Sequence, residues 1–267
     1  MDIGNTNLTL GLFEDERLAG SWRAMTRADA TPDELAAQCI QLLALGDARL
    51  EEVDAAAIAS VVPPLTATLS EALGARFRPG VEILNVDAAS LEGVLAIEID
   101  RPSEAGADRL CNALAARTEF GGPAIVVDLG TSTNFDLVSA EGAYIGGAIA
   151  PGLGLSLEAL VGRASKLPRI ELRRPARAIG TSTVAAMQSG TVLGYIGLVS
   201  GLLTALRGEL VERSPADGHV TVVATGGYTN AEWLRDVPGI DAVEPDLTLR
   251  GVQYAHAAIR AASGAAR

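Results

Sequence analysis

Two copies of one short pattern stand far apart in this chain of 267 residues. Asp2-Ile3-Gly4-Asn5-Thr6-Asn7 precedes the mostly apolar run Leu8 to Phe13. Asp128-Leu129-Gly130-Thr131-Ser132-Thr133 follows the apolar Ala124 to Val127 and precedes Phe135 to Val138. Each reads as a carboxylate, an apolar residue, a glycine, then hydroxyl or amide side chains at the tip of a β-hairpin. The chemistry suits a phosphate site: glycine lets backbone N–H groups approach a polyanion, small polar side chains add donors, and the carboxylate can hold a cation against it. One such turn is equally an ordinary hairpin tip. Two of them, each opening one of two similar halves, imply a duplicated α/β nucleotide-binding fold with phosphates clamped between the halves.

The pattern of elements repeats in the same way. In the first half, strands are expected at 8–13 and 18–23. Thr31-Pro32-Asp33-Glu34 is a strong helix start, with an N-cap, a proline in the first turn and acids at the positive dipole end. That helix should reach Leu45, followed by a strand at 55–62, a helix at 65–77, a strand at 81–86 and a helix at 104–119. The second half offers strands at 124–128, 134–138 and 144–149, helices at 153–162 and 183–210, a strand at 220–224, and helices at 230–236 and 249–262. Strands followed by helices, twice over, imply two mixed sheets flanked by helices. The turn residues Phe120-Gly121-Gly122-Pro123 put the boundary between halves 1–120 and 121–267.

Composition narrows the function. A formal charge of −12 argues against a nucleic-acid surface. Cys39 and Cys111 have no metal-type spacing and read as buried free thiols of a reducing compartment. Asp2 directly after Met1 is unlike a signal peptide. The apolar stretch Val192 to Leu206 is short for a membrane span and reads as a buried helix. Lys166, the one lysine, lies outside any Gly-Lys-Ser/Thr loop, so a P-loop is excluded. His219 and His256 lie outside every Gly-rich segment and are not chosen as a catalytic base.

Further segments carry chemistry. Gly106-Ala107-Asp108-Arg109 opens a helix, where an acid beside an arginine is either a dipole partner or a substrate contact. Gly146 to Gly152 links strand to helix. Ile179-Gly180-Thr181-Ser182-Thr183 runs into Ala186-Met187-Gln188-Ser189-Gly190 and then Gly194-Tyr195. Thr183 alone reads as an N-cap. Thr225-Gly226-Gly227 after a strand is backbone on which an adenine or ribose can lie, or a plain strand-ending turn.

In combination, order and spacing, these segments resemble the type III pantothenate kinases of the acetate and sugar kinase/heat-shock protein/actin superfamily, from Asp2 to about Ala257. The resemblance implies two RNase-H-like (actin-like ATPase) halves with an interdomain active-site cleft. It also implies phosphorylation of pantothenate by ATP to 4'-phosphopantothenate, the first step of coenzyme A biosynthesis, in a cytoplasmic homodimer. Asp108 matches the catalytic base. Asp2, Ile3, Gly4, Asn5, Thr6, Asn7, Leu8 and Thr9 match the first phosphate loop, and Thr131 a second ATP contact. Gly106, Ala107, Asp108 and Arg109 match the pantothenate site, with Thr183 a further contact. Asp128 matches the ligand of a monovalent cation, K⁺ or NH₄⁺, required beside Mg²⁺. No nucleic acid or membrane partner is implied.

Three departures stand out. Ile99 takes the place of a tyrosine that touches pantothenate, removing a hydrogen bond of about 0.5–1.5 kcal/mol. Ser132 and Asn134 replace Ala and Thr in the second turn, with little loss expected. Only Met1 precedes Asp2 where relatives have an apolar strand, so the native start is expected roughly four to six residues upstream, the length of a short strand. Two other readings compete: a non-catalytic accessory factor in gene regulation, and a kinase of the same superfamily acting on another hydroxyl substrate such as a sugar.

Overall fold

The computed structural model describes residues 1–213 and 219–265. It divides into two compact units, each with one five-stranded mixed sheet. In the first, β1 (Asp2–Ile3), β2 (Asn7–Glu14) and β3 (Arg17–Met25) form an antiparallel meander. β4 (Ala55–Ser60) and β5 (Glu82–Val86) add in parallel on the other side of β1, giving the order β3-β2-β1-β4-β5. One face carries α1 (Pro32–Ala44) and α2 (Pro63–Gly74), whose Leu35, Cys39, Leu43, Leu65, Leu69 and Leu73 form a core with Ile3, Leu8, Leu10 and Ile58. The expected N-cap of α1 is a complete capping box: the Thr31 side chain accepts from the Glu34 N–H, and the Glu34 carboxylate accepts from the Thr31 N–H. α3 (Ala107–Phe120) starts three residues later than expected, because Pro102–Glu104 turns as a 3₁₀ helix first.

The second sheet repeats the plan strand for strand. β6 (Ala124–Leu129), β7 (Ser132–Val138) and β8 (Tyr144–Pro151) are antiparallel, while β9 (Thr221–Thr225) and β10 (Ala242–Val243) run parallel to β6. The order β10-β9-β6-β7-β8 is that of the first sheet. β6 is apolar almost throughout, as a central strand covered on both faces requires. α4 (Leu153–Arg163), α5 (Thr183–Gln188) and α6 (Gly194–Arg213) follow, with one π-type turn at Ser189–Leu193 joining the last two. This long helix is not buried all round as the sequence suggested. Val192, Tyr195, Val199, Leu203 and Leu210 make one buried stripe, while Leu193 is exposed. By length and composition Thr183–Arg213 could cross a membrane, but that stripe packs on the second sheet's core.

Two expectations change. The stretch 230–236 is a 3₁₀ turn, Glu232–Asp236, rather than an α-helix. Leu234 N–H bonds the Ala231 carbonyl, and Pro238 stops continuation. The C-terminal helix α7 (Leu247–Ala265) joins the first unit, which comprises Met1–Ala115 and the segment from Asp246, and not the second, Ala116–Pro245. It packs on β1, β2, β4 and β5. It also passes so close to α3 that a Cβ at Gly251 would strike the Cys111 carbonyl, and Thr248 Oγ1 donates to Asn112 Oδ1 at 2.7 Å. Of the second half expected to end at 267, residues 214–218 and 266–267 lie outside the described residues.

Candidate active site

The first turn is held from within the first unit. Gly4 N–H bonds the Asn7 carbonyl at 2.9 Å, Thr26 Oγ1 donates to the Gly4 carbonyl at 2.7 Å, and Thr26 N–H bonds the Thr6 carbonyl. Asn5 and Thr6 are exposed at the tip, Asp2, Asn7 and Thr9 are half-buried, and Ile3 and Leu8 are core residues. Any contact that Ile3 and Leu8 make with a ligand is therefore through the backbone. A turn pinned at its base with its tip open is a pre-shaped donor array for an anion.

Asp108 occupies the first turn of α3, where Oδ1 accepts from the Arg109 N–H at 2.8 Å. Gly106 gives it room: a Cβ there would meet Asp108 Oδ1 at 2.5 Å and Val61 Cγ1 at 3.3 Å. Burial pushes the Asp108 carboxyl above the ordinary range, against the pull of the Arg109 N–H and guanidinium. The Cys111 thiol, one turn on, is buried and feels both the Asp2 and Asp108 charges, which places these two carboxylates near one point of α3. Arg109 and Ile99 are half-buried. Ile99 sits in a bend before the 3₁₀ turn and offers only hydrocarbon where a phenol would donate.

In the second unit, Gly130 N–H bonds the Ser132 carbonyl at 3.0 Å and Gly152 N–H bonds the Thr131 carbonyl at 3.1 Å. The Thr131 side chain is left at an exposed tip. Asp128 stands opposite Asn134 on β7 and Thr225 on β9, so all three side chains share one face. Gly226 follows with φ +95°, and a Cβ there would collide with the Asp128 carboxylate. Among the described residues the Thr225 hydroxyl, fully buried, has no hydrogen-bond partner. The other face of the turn is fixed by Tyr195 of α6, whose hydroxyl lies 2.6 Å from Thr133 Oγ1. Burial, with Asp128's charge a minor cause, lifts Tyr195 to about 12, so it stays protonated.

Thr183 is the first residue of α5, but the cap is Ser182, whose Oγ accepts from the Ala185 N–H at 3.2 Å. The exposed Thr183 hydroxyl is thus spared from capping. It borders a cavity of about 650 Å³ with Leu153, Ser156, Leu160, Met187 and Tyr195. No cluster of three or more His, Cys, Asp or Glu residues suited to a metal occurs among the described residues.

A model of the family described as type III pantothenate kinase matches residues 1–205. The type III pantothenate kinase of Thermomicrobium roseum is 46% identical over 265 residues, 99% of this chain and 98% of its own length. The chain belongs to the type III pantothenate kinase family. Family members from Roseiflexus sp. (45% identical, 95% of each chain) and Paramagnetospirillum magneticum (43%, covering 96% and 95%) agree over the same span. Two solved structures share the fold at low identity. One is a conserved candidate Baf family transcriptional activator from Campylobacter jejuni (TM-score 0.57, 16% identical, covering 97% and 98%). The other is the activator of the 2-hydroxyisocaproyl-CoA dehydratase from Clostridium difficile with bound ADPNP (TM-score 0.52, 11%, covering 98% and 95%). The two five-stranded sheets of like order thus belong to a fold that these two structures share. In this pantothenate kinase family member, sequence reasoning missed Tyr195 and Thr225 as supports of the second turn. Their partners lie 62 and 97 positions away, and only the sheet register and the α6 stripe reveal them.

Proposed function

We propose that this chain transfers the γ-phosphoryl group of ATP to the primary hydroxyl of pantothenate, forming 4'-phosphopantothenate for coenzyme A biosynthesis. The observation that carries this reading is Asp108: a half-buried carboxyl with raised basicity, in a Gly-Ala-Asp-Arg turn of a type III pantothenate kinase family member. Phosphoryl transfer needs little covalent chemistry from the protein, mainly alignment, charge neutralisation and removal of the hydroxyl proton. Asp108 takes that proton. Arg109 holds the pantothenate carboxylate in a fork-like contact, and Gly106, Ala107 and Thr183 complete the substrate contacts. Backbone N–H groups of the Asp2–Thr9 turn bind the phosphates, with Thr131 a second ATP contact.

Mg²⁺ and a monovalent cation supply positive charge against the phosphates when bound. Asp128 is the ligand for the monovalent cation, K⁺ or NH₄⁺. The donor set fits: a carboxylate with the buried Thr225 hydroxyl on the same sheet face, both hard oxygens. The active protein is a cytoplasmic homodimer. Leu155, Leu160, Val184 and Leu193 of α4, α5 and the following turn are exposed beside the 650 Å³ cavity, an apolar area of the kind that marks self-association.

The test is product analysis with ATP and a panel of pantothenate, glucose, N-acetylglucosamine and glycerol. Phosphorylation of pantothenate at least about 10³-fold faster (kcat/KM) than of any sugar is expected, since a site built to hydrogen-bond one substrate rejects analogues by such factors. Preference for a sugar, or no transfer to any acceptor, overturns the proposal.

A further inference from the structure

The two sheets repeat one another, yet they differ in chemistry at one buried position. The first sheet sets Ile3 of β1 opposite Leu8, and the second sets Leu129 of β6 opposite Thr133 at the same place. Leu8 is a core residue of the first unit. Thr133 is just as buried, and its face of β6 and β7 is otherwise apolar, with Ile125, Val127 and Leu129 on one strand and Phe135 and Leu137 on the other. A hydroxyl in such a place is costly unless it is hydrogen-bonded. Its partner is a second buried hydroxyl, that of Tyr195 on α6, 2.6 Å away. Two buried hydroxyls thus meet where the repeat and the surrounding core would take hydrocarbon. Packing alone does not account for them.

The hydrogens can be assigned. Tyr195 keeps its proton, because burial lifts the phenol to about 12. Thr133 Oγ1 lies 3.3 Å from the Pro151 carbonyl, which can only accept. One arrangement gives each hydrogen an acceptor: Tyr195 donates to Thr133, and Thr133 donates to Pro151. The next residue, Gly152, donates its N–H to the Thr131 carbonyl at 3.1 Å. The approach is so close that a Cβ on Gly152 would strike the carbonyl oxygens of Gly130 and Thr131. The junction of β8 and α4 therefore grips the turn at Thr131 and at Thr133, on either side of Ser132, and Tyr195 anchors the second grip. The Tyr195 ring is itself held edge-on to Trp233, with centroids 5.3 Å apart at 90°. The same residue lines the 650 Å³ cavity that Thr183 borders.

We propose that Tyr195 is a positioning residue for phosphoryl transfer: through Thr133, its hydroxyl fixes where the exposed Thr131 side chain stands against the phosphates of ATP. This inference rests on the kinase reading under Proposed function. A turn freed from its anchor can still close on ATP, because the Gly130 and Gly152 backbone bonds remain. What it loses is a single geometry, and geometry counts more in the transition state than in nucleotide binding. The signature of Tyr195 is therefore a lower kcat with ATP affinity kept.

The experiment compares Tyr195→Phe, Thr133→Val, their double variant, Thr133→Ser and Val199→Ala. The last removes core volume from the same stripe of α6 without touching either hydroxyl. kcat and calorimetric ATP affinity are read well below each melting temperature, and hydrogen exchange of the Gly152 amide is read in the unliganded chain. Tyr195→Phe and Thr133→Val should each lower kcat about tenfold or more, within the loss that a misplacement of about 1 Å can cause, with ATP affinity within about twofold of the parent. The double variant should lose no more than the worse single one, and Thr133→Ser, which keeps the hydroxyl, should stay near the parent. Gly152 exchange should speed at least about tenfold in Tyr195→Phe and Thr133→Val and stay unchanged in Val199→Ala. Unchanged kcat in Tyr195→Phe, additive losses in the double variant, or an equal loss of kcat in Val199→Ala would overturn the inference. A parent chain that transfers nothing to pantothenate would refute the kinase reading instead. Gly152 exchange then decides alone, and equal exchange in Tyr195→Phe and the parent would end the anchoring role.

Discussion

Replacing Asp108 by Asn removes the charge and proton affinity of one carboxylate while keeping its size. The Asn Oδ1 can still accept the Arg109 N–H that Asp108 Oδ1 takes at 2.8 Å, so the first turn of α3 keeps its geometry. Loss of a positioned general base costs about 10²–10⁴-fold in turnover, or about 3–5 kcal/mol of barrier. Stability moves differently. Because burial raises the Asp108 pKa, the folded protein keeps its proton over a pH range in which the unfolded chain has lost it. Stability contributed by this group therefore falls as pH rises through that range, and at neutral pH the carboxylate is a net burden. The Asn variant should thus melt no lower than the parent. The assay pairs ADP release under saturating pantothenate with calorimetric ATP binding and a thermal melt. A variant that keeps near-normal turnover would remove Asp108 from the role of base. A variant that loses turnover together with several degrees of melting temperature would show a structural part instead.

The same raised pKa predicts the acid limb of the pH profile: kcat/KM should fall at low pH with a midpoint above ~4, the ordinary aspartate value, and this limb should vanish in the residual activity of Asp108→Asn. Turnover should depend on K⁺ or NH₄⁺ and drop when Na⁺ or a bulky organic cation replaces them; equal rates in every salt would contradict Asp128 as a cation ligand. Gly226→Ala forces a side chain at φ +95° against the Asp128 carboxylate, so it should cost about 1–3 kcal/mol in a denaturant titration and raise the K⁺ concentration giving half-maximal rate. An unchanged K⁺ response would separate Gly226 from the cation site.

Much of the fold was legible because local signals were strong. The Thr31/Glu34 capping box, the apolar run of β6 and the glycine turns at Gly4 and Gly130 each act within a few residues, and each forms as read. What escaped depends on tertiary partners. The sequence of α7 shows an amphipathic helix but not which sheet it covers, and its return to the first unit rests on Gly251 meeting the Cys111 backbone. The long α5–α6 helix looked buried because its apolar residues outnumber those in its one packed stripe. β10 spans only Ala242–Val243 and is held by parallel pairing to β9, which a two-residue run does not announce. At the site, the turns themselves were readable, whereas Tyr195 and Thr225 behind the second turn emerge only when α6 and β9 are in place.

The most direct measurement of the central claim is the mass and ³¹P spectrum of the product formed from ATP and pantothenate by the purified chain in a K⁺ buffer with Mg²⁺. The account predicts a product heavier than pantothenate by one phosphoryl group, esterified at the primary hydroxyl, with one ADP released per phosphoryl transferred and formation lost in Asp108→Asn. ADP release without a phosphorylated acceptor, or transfer that persists unchanged in Asp108→Asn, would contradict it.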